Sequence, residues 1–404
     1  MSETTQIAGE PSGVECASML TMAVGHSDDV DPRDAIATVI EQCRASLGGL
    51  RPQAGILYAA FDSFDPLLVT AVREAFPGVA VMGSTSAAEV SSIGGFQEDS
   101  IMLALFASDS VDVTAGLGAG IGQDVVAACQ TAAKQALAGT QREPKLCLMF
   151  AEGLTDDPQR AIDALANALP DGVVIVGGGS ARRDFSSAGL GLQFCNEVVV
   201  TDGIVVLLFS GPIAFSTAIG TGWRTIGALG TVNRSGPGIV HEIDGRPAAE
   251  FLSRYLDVTG PASFGNPLSV VEAGGDESYL RAIQGSDPAS GSVSLAGSIP
   301  VGATVQLTTA DTDDILAGTK AALARATAAF PAGSRPEAGL IFSCAVRQFL
   351  LGSRTQVETE MAQTEFGAAL PLAGLYCYGE IGPVRGASTS RLLNETFVTL
   401  LLGT

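Results

Sequence analysis

Three stretches that combine glycine with charged side chains are the part of this chain best suited to chemistry. They read GSTSAAEVSSIGG (83–95), GGGSARRDF (177–185) and YCYGEIGPVRG (376–386). Glycines expose backbone N–H groups and permit positive φ, so such loops can surround a carboxylate or a phosphate. The charges they carry have both signs and include Glu89, Arg182, Arg183, Asp184 and Glu380. Charges of both signs suit a small zwitterion. The alternative is that the glycines only turn the chain and the charges are solvated.

A cysteine and an arginine follow the apolar strand of a fourth stretch, FSCAVRQFLLG. Arg347 lies three residues after Cys344, and a nearby guanidinium can lower the pKa of a thiol and so create a nucleophile. Residues 293–404, which include both side chains, contain no histidine that could act as a base. A buried, inert thiol is therefore favoured. We therefore expect no enzyme here, and Arg347 is the stronger candidate for contacting a ligand. A cysteine-dependent hydrolase or transferase using Cys344 is the enzyme alternative.

Metal chemistry has few candidate ligands in this sequence. His26 and His241 are the two histidines, and either is a candidate axial ligand for haem iron. The acidic run SDDVDPRD (27–34) lacks the glycine and the final glutamate of an EF-hand loop, so it is interpreted as a helix cap. The seven cysteines are dispersed and form no CxxC pair, which argues against structural zinc.

The elements that must position these residues recur three times along the chain. Each copy reads as an apolar strand, a helix, a glycine-containing strand and a final apolar strand, and the three first strands are AGILYAAFD, KLCLMFAEG and AGLIFSCAV. The copies span about 16–110, 111–211 and 293–404, and each is led by a short strand and an Ala-rich helix. Continuous apolar strands alternating with helices predict mixed α/β layers with buried sheets. CNEVVV–TDG–IVVLLF is interpreted as a hairpin, which makes the sheets mixed, and 212–292 does not fit the repeat.

Composition excludes several classes of partner. The chain has 404 residues, of which 46% are hydrophobic and 16% charged, and its formal net charge is -21. This charge disfavours nucleic acid and anionic membranes, because both require local positive potential. No apolar run reaches the ~18 residues of a membrane-spanning helix. The polar start and the unpaired cysteines predict a cytoplasmic protein with reduced thiols.

Several of these motifs together resemble the FIST sensory family. GSTSAAEVSSIGG is similar to the family's glycine–cysteine–serine–threonine loop, with Ser84 and Ala88 departing from that pattern, and VGGGSARRDF is similar to its second loop. Several motifs, in the same order, resemble the C-terminal domain of the family: EIDGRPAAEFLSRYLDVTG, FSCAVRQFLLG, LPLAGLYCYGEIGP and LLNETFVTLLLG. The resemblance implies a tail at 1–15, a FIST N-terminal domain at 16–232 and a FIST C-terminal domain at 233–404. The predicted fold class is therefore α/β (mixed α+β), with three repeated strand–helix units in a two-domain FIST arrangement and mixed sheets.

The resemblance also implies a function. It predicts a bacterial signal-transduction sensor that binds a small molecule between its units and regulates a separate partner, such as a histidine kinase or a cyclic-di-GMP enzyme. The residues expected near the ligand are Arg182, Asp184, Arg347, Tyr378, Glu380 and Asn394. In this scheme Arg347 or Arg182 holds an anionic group, and Glu380 or Asp184 holds a cationic one.

Two other functions stay open at this point. A branch of the family binds haem to sense nitric oxide, so haem is the cofactor alternative, with His241 favoured over His26 because it lies in the apolar strand IVHEI. The second alternative is an assembly protein whose glycine-rich loops bind nothing.

Overall fold

The computed structural model describes residues 19–152, 158–183, 190–256, 265–384 and 389–404. The described residues form three units with the same order of elements. Each unit has an edge strand, a helix, a central strand, one or two more helices, a third strand, a hairpin and a closing strand. The first unit consists of β1 (Leu20–Ser27), α1 (Pro32–Leu47), β2 (Ala54–Ala60), α2 (Pro66–Ala75), β3 (Ala80–Ser86), β4 (Ala88–Ser91), β5 (Gly95–Gln97) and β6 (Ile101–Ser108).

The second unit follows the same order without interruption. It consists of β7 (Asp112–Ala119), α3 (Val125–Ala138), β8 (Pro144–Glu152), α4 (Gln159–Ala168), β9 (Val174–Ser180), β10 (Gln193–Cys195), β11 (Val198–Val200) and β12 (Gly203–Ser210). The three units confirm the repeat that the sequence predicts.

The third unit is split by an inserted segment. Its edge strand is β13 (Ala214–Gly220). The insert comprises β14 (Arg224–Gly236), β15 (Ile239–Ile243), β16 (Arg246–Pro247), α5 (Ala248–Leu252), β17 (Leu268–Val271), β18 (Ser278–Arg281), β19 (Ile283–Ser286), β20 (Val293–Leu295) and β21 (Thr304–Thr309). The unit then resumes with α6 (Thr312–Ala329), β22 (Ala338–Cys344), α7 (Ala345–Leu351), α8 (Gln356–Phe366), β23 (Leu372–Cys377), β24 (Glu380–Pro383), β25 (Ser390–Leu393) and β26 (Phe397–Gly403).

Each unit builds one six-stranded sheet, and each sheet is completed by a hairpin from another unit. The strand orders are β1-β6-β2-β3-β10-β11, β7-β12-β8-β9-β24-β25 and β13-β26-β22-β23-β4-β5. The central and third strands of every unit are parallel, and their other neighbours are antiparallel. The sheets are therefore mixed, as the sequence predicts. The second unit gives its hairpin to the first sheet, the third to the second and the first to the third, so the exchange is cyclic.

Two expectations about strands are wrong. The strand QLTT, expected to lead the third unit, belongs to β21 of the eight-stranded inserted sheet, where it pairs with β14 and β17. The leading position is held by β13, which pairs with β26 as β1 pairs with β6. The expected hairpin across Thr201–Gly203 is also absent from the described pairings, because β11 pairs with β10 in the first sheet while β12 joins the second. The domain boundary predicted at 232/233 lies within β14, and the domain bounds stay a prediction.

The three sheets meet through the apolar faces of their central strands. Tyr58, Phe150 and Phe342 occupy equivalent positions on β2, β8 and β22, and their rings are in contact, with centroids 5.4 Å apart for the first pair and 5.8 Å for the second. Helices cover the opposite faces of the sheets. The carboxyl ends of the central strands therefore lie at one end of a shared core.

Glycine lets the leading helix of each unit lie directly on its edge strand. A Cβ on Gly25 would lie 2.3 Å from Val39 O, one on Gly116 would lie 2.1 Å from Ala132 O, and one on Gly220 would lie 2.2 Å from Gly318 O. The Gly-rich GLGAGIG stretch thus serves helix–sheet packing in β7. The acidic turns are caps, as predicted: Asp31 accepts a hydrogen bond from Arg33 N at the start of α1.

Two findings bear on environment. Among the described residues, no helix is both long enough and apolar enough to cross a bilayer. The six cysteines in the described part of the chain are free and buried.

Candidate functional site

A cleft of about 580 Å³ opens at the carboxyl end of β2, between the first and second units. It is lined by Ala60, Phe61, Asp62, Ser63, Asp99, Arg182 and Arg183. The lining thus combines an aromatic ring, two carboxylates and two guanidinium groups. This set of side chains can bind a molecule that carries charges of both signs.

Arg182 is the cation of this cleft that has no carboxylate partner among the described residues. Its guanidinium lies over the ring of Phe61, 3.6 Å from the centroid, and the side chain is half-buried. Its carbonyl oxygen accepts a hydrogen bond from Tyr378 Oη, so the third unit also holds this position. Stacking on a ring orients a guanidinium without using its N–H donors. Phe61 therefore orients these donors, and no carboxylate among the described residues neutralises them.

Arg183 differs from its neighbour because it is already paired. Its guanidinium forms ion pairs with Asp99 and with Glu98, the latter at 2.8 Å. Glu98 in turn accepts a hydrogen bond of 2.9 Å from Gln348 Nε2, which belongs to the third unit. Asp62, by contrast, is exposed and carries no ion pair in the described structure. Arg182 and Asp62 are the two opposite charges that the cleft offers to a ligand.

A polar layer repeats three times at the equivalent strand ends inside the core. The last residue of each third strand, Ser86, Ser180 or Cys377, donates to a carbonyl of the adjacent central strand at 3.2, 3.2 and 3.6 Å. The same side chains contact the first inward polar residue of each exchanged hairpin, which is Glu89, Gln193 or Glu380. The repeat therefore places acid, amide and acid at equivalent positions.

The two acids of this layer are anchored alike. Ser100 donates to Glu89 Oε2 through its hydroxyl at 2.5 Å and its N–H at 3.3 Å. Thr396 donates to Glu380 Oε2 through its hydroxyl at 2.8 Å and its N–H at 3.0 Å. Burial raises the pKa of Glu89 to about 7 and that of Glu380 to about 8, and these hydrogen bonds offset only part of the effect. Burial therefore favours the neutral form of both carboxyl groups.

Unpaired polar atoms adjoin this layer. The hydroxyls of Tyr58 and Ser84 are buried without a hydrogen-bond partner, and the two residues face each other across β2 and β3. Burial also raises the pKa of the Glu395 carboxyl to about 8, and a backbone hydrogen bond from Gly265 offsets only part of this effect. Buried polar groups without partners are uncommon in folded proteins. These unpaired groups lower the stability of the fold at the strand ends.

The structure brings some of the predicted ligand residues together. Tyr378 bonds Arg182 at the cleft, and Glu380 lies two residues further on, buried in the polar layer. Asn394 is buried, and its Oδ1 accepts from Ala282 N of the insert at 3.3 Å. Asp184 lies outside the described residues. The ligand roles of these residues stay predictions.

Arg347 needs a correction, because its side chain is fully buried and bonded within the protein. Its guanidinium pairs with Glu358 at 2.6 Å and also donates to Thr221 O and to Thr319 Oγ1. The pair stacks beside Trp223, 5.7 Å from the ring. The position of Arg347 at a strand end suggests a ligand contact. Instead, its guanidinium is neutralised by the carboxylate of Glu358 on α8.

The two histidines differ in their capacity to bind iron. Both ring nitrogens of His26 are hydrogen-bonded at 2.8 Å, to Ser91 Oγ and Ser100 Oγ, and burial lowers the pKa of the ring to about 4. Neither nitrogen is open to a metal. His241 is half-buried on β15 of the insert, and the residue after it, Glu242, pairs with Arg234. A half-buried imidazole in this charged strand does not fit the enclosed apolar pocket that haem requires, and we derive no step through haem.

Cys344 is a protonated thiol. Burial, followed by the nearby Glu380 and Glu395, raises its pKa well above the ordinary value. The candidate activator of this thiol, Arg347, is neutralised by Glu358. The thiolate required for nucleophilic attack is therefore disfavoured.

Sequence reasoning missed Phe61 and Asp62. They directly follow the central strand of the first unit rather than a glycine-rich stretch. It also missed Gln193, because a longer connection separates it from Ser180 than separates Glu89 from Ser86. Aligning the three repeats by their closing strands, which follow Ser100, Asp202 and Thr396, is the signal that finds it.

The fold and the site together define a three-unit α/β protein with a charged cleft at its strand ends. The FIST N domain matches residues 53–246 and the FIST C domain matches residues 248–383. The chain belongs to the FIST family, whose domains are sensor domains of signal transduction. It is 26% identical over 383 residues to an uncharacterized protein of Mycobacterium tuberculosis, covering 91% of this chain and 96% of that one. An uncharacterized protein of Mycobacterium bovis is 24% identical, with 91% and 95% covered.

Solved structures similar to this chain include an enzyme. A cyanuric acid hydrolase from A. caulinodans matches with a TM-score of 0.37 and 10% identity, covering 95% of this chain and 99% of that chain. A second cyanuric acid hydrolase structure matches with a TM-score of 0.29 and 10% identity, covering 50% and 72%. This finding overturns the expectation that the chain is not an enzyme, and that exclusion is withdrawn. Likeness at this level carries no argument about a particular activity.

Proposed function

We propose that this FIST protein senses a small zwitterionic molecule, such as an amino acid, in the cleft at the end of β2. The observation that carries the proposal is the pairing of a half-buried Arg182 that has no described carboxylate partner with an exposed Asp62 in one cleft. A cleft of about 580 Å³ lies within the usual range for small-molecule sites, ~300–1,000 Å³.

The chemistry of recognition follows from these side chains. Arg182 donates two parallel hydrogen bonds to the carboxylate of the ligand, and Phe61 keeps its guanidinium plane fixed. Asp62 accepts from the ammonium group. Because Arg183 is held by Glu98 and Asp99, it shapes the wall of the cleft without competing for the ligand.

Signalling in this proposal is a shift between arrangements of the units. The walls of the cleft come from the first and second units, and Tyr378 and Gln348 of the third unit bond to it. A ligand that binds one arrangement more tightly raises the population of that arrangement. A separate partner protein responds to this change. Family resemblance suggests a histidine kinase or a cyclic-di-GMP enzyme as that partner.

The test replaces Arg182 with alanine and measures binding of the common amino acids by calorimetry. We expect a saturable ligand of the parent protein and an affinity at least about tenfold lower for Arg182→Ala, because a charge-assisted two-point contact is lost. Arg142→Ala is the matched control, since Arg142 is an exposed arginine paired with Asp112 away from the cleft. Its affinity should equal that of the parent.

Two results contradict the proposal. One is that no amino acid or related zwitterion gives a saturable signal with the parent protein. The other is that Arg182→Ala and Arg142→Ala bind the ligand equally well.

A further inference from the structure

A second surface feature lies between the two helices of the first unit, on the same end of the molecule as the cleft. A groove of about 360 Å³ runs between α1 and α2. Its floor is formed by Ile36, Ile40 and Leu68, and its walls include Ala37 and Ala71. We call this feature the α1–α2 groove.

The corresponding helix pairs of the other two units pack together more closely than α1 and α2 do. In the second unit, Cys129 Sγ of α3 contacts Ala161 O of α4 at 3.5 Å. In the third unit, Thr319 Oγ1 of α6 donates to Glu358 of α8 at 2.6 Å. Among the described residues, α1 and α2 are therefore the least closely packed of the three pairs, and the α1–α2 groove lies between them.

Exposed apolar side chains adjoin the groove. Leu67, at its wall, is 56% exposed, and Val30, which precedes the first rim residue, is 96% exposed. Contiguous exposed apolar surface with a polar rim is typical of protein interaction sites.

The rim of the groove is acidic. Asp31 and Asp65 line it at the two helix starts, and Asp28, Asp29 and Asp34 are exposed close by in sequence, against a single cation, Arg33. Each helix N-terminus contributes only about half a positive charge. The carboxylates outweigh it, so the rim attracts a cationic partner.

We infer that the α1–α2 groove docks an amphipathic helix of a partner protein whose apolar stripe is flanked by lysine or arginine. A third helix can lay its apolar ridge between two neighbouring helices, as in other helix-in-groove complexes. Charge disfavours two other occupants. The chain's first 18 residues contain three glutamates and no lysine or arginine, and a second copy would bring a net charge of -21 to an acidic rim.

The probe is a fluorescent 18-residue helical peptide of leucine and lysine with its leucines on one face, measured by anisotropy against the full chain. Ala37→Gln places a longer side chain in the groove, and Thr38→Gln is the matched control because Thr38 is the exposed neighbour that does not line it. Ala37→Gln should weaken binding at least about tenfold and Thr38→Gln should leave it unchanged. The paired change Asp28→Asn and Asp34→Asn should lower affinity and its dependence on salt.

Several outcomes would overturn the inference. The peptide binds Ala37→Gln as well as it binds Thr38→Gln, or a peptide with glutamate in place of lysine binds as well. Alternatively, the parent is a dimer in solution that Ala37→Gln alone dissociates, which makes the face a self-interface. A peptide that binds only after residues 1–18 are removed would assign the groove to the chain's own start. None of these outcomes depends on a ligand in the cleft.

Discussion

At the scale of residues, the carboxyl groups buried at the strand ends carry the clearest physical signature. Glu395 is fully buried, burial raises the pKa of its carboxyl, and its φ of 54° is in the left-handed region. A non-glycine residue there costs ~1–2 kcal/mol, which the surrounding structure must offset. Asp99, at the equivalent turn of the first unit, has the same conformation with a φ of 52°. The first and third units thus share this turn, whereas Thr201, at the same place in the second unit, does not have a positive φ.

Glu395→Gln should make the protein more stable at alkaline pH. The folded-state pKa of Glu395 is raised by burial to about 8 from an ordinary 4.5, so its carboxyl stabilises the fold below pH 4.5 and this contribution is lost as the pH rises to about 8. Glutamine stays neutral throughout. The free energy of unfolding, measured with urea, is compared between the variant and the parent at pH 5 and at pH 8.5. The difference in favour of the variant should be larger at pH 8.5 by on the order of 4 kcal/mol.

The matched control for this pH experiment is Glu41→Gln on α1. Glu41 is exposed and paired with Arg44, so its replacement should leave the pH profile of stability unchanged. Parallel profiles for Glu395→Gln and the parent between pH 5 and 8.5 would show that this carboxyl does not titrate with folding.

Some of the site follows from residue types and some does not. Sequence alone selects Arg182 and Tyr378, because glycines and charges after apolar strands stand out, and the structure joins them through a hydrogen bond. It misplaces Arg347, because an arginine near a strand end has the same local pattern whether it faces a ligand or a carboxylate from a distant helix. Glu358 on α8 decides between these possibilities, and only the packing of α8 against α7 and β22 reveals it.

At the scale of elements, the buried ion pair between Arg347 and Glu358 holds the two connections between the insert and the third unit, which we call the chain crossings. Arg347 donates to Thr221 O, just before β14, at 2.6 Å and to Ile315 O, in the first turn of α6 after β21, at 3.2 Å. Trp223 lies in the first crossing, and its Nε1 donates to Gly265 O of the insert at 3.1 Å. The ion pair therefore anchors both connections at once.

Glu358→Gln should loosen these connections. It leaves the Arg347 charge buried without a counter-ion, so we expect the free energy of unfolding to fall by ~3–5 kcal/mol. Trp223 is the single tryptophan of the chain, so acrylamide quenching of its fluorescence reports the crossing directly and should increase. Glu360→Gln, an exposed change on the same helix, is the control. Equal quenching in the two variants would mean that the ion pair does not hold the crossing.

The elements themselves are predictable where a pattern is local. The sequence predicts a helix after the central strand of each unit, and the structure has α2, α4 and α8 there. The leading strand of the third unit is not predictable in this way, because the insert separates β13 from α6 and supplies an apolar strand, β21, in its place. Sequence order is a poor guide to pairing when another sheet interrupts a unit.

At the scale of the whole molecule, the cyclic exchange of hairpins makes the three units interdependent. The second sheet needs β24 and β25 from the third unit, and the third sheet needs β4 and β5 from the first. Local patterns cannot reveal this exchange, because a short strand carries no label for the sheet it joins. Family domains that are consecutive in sequence are consequently interleaved in space.

This interleaving predicts that neither half of the chain folds alone. A fragment of residues 1–212 retains every strand of the first sheet but lacks the hairpin that completes the second, and 213–404 lacks the hairpin that completes the third. Each leaves unpaired strand edges and an uncovered core, so each should be aggregated or unfold without a cooperative transition. Co-expression should restore a 1:1 complex with cooperative unfolding, measured by circular dichroism and size-exclusion chromatography. A monomeric 1–212 fragment that unfolds cooperatively by itself would mean that the exchanged hairpins add little, and that the sheets are independent bodies after all.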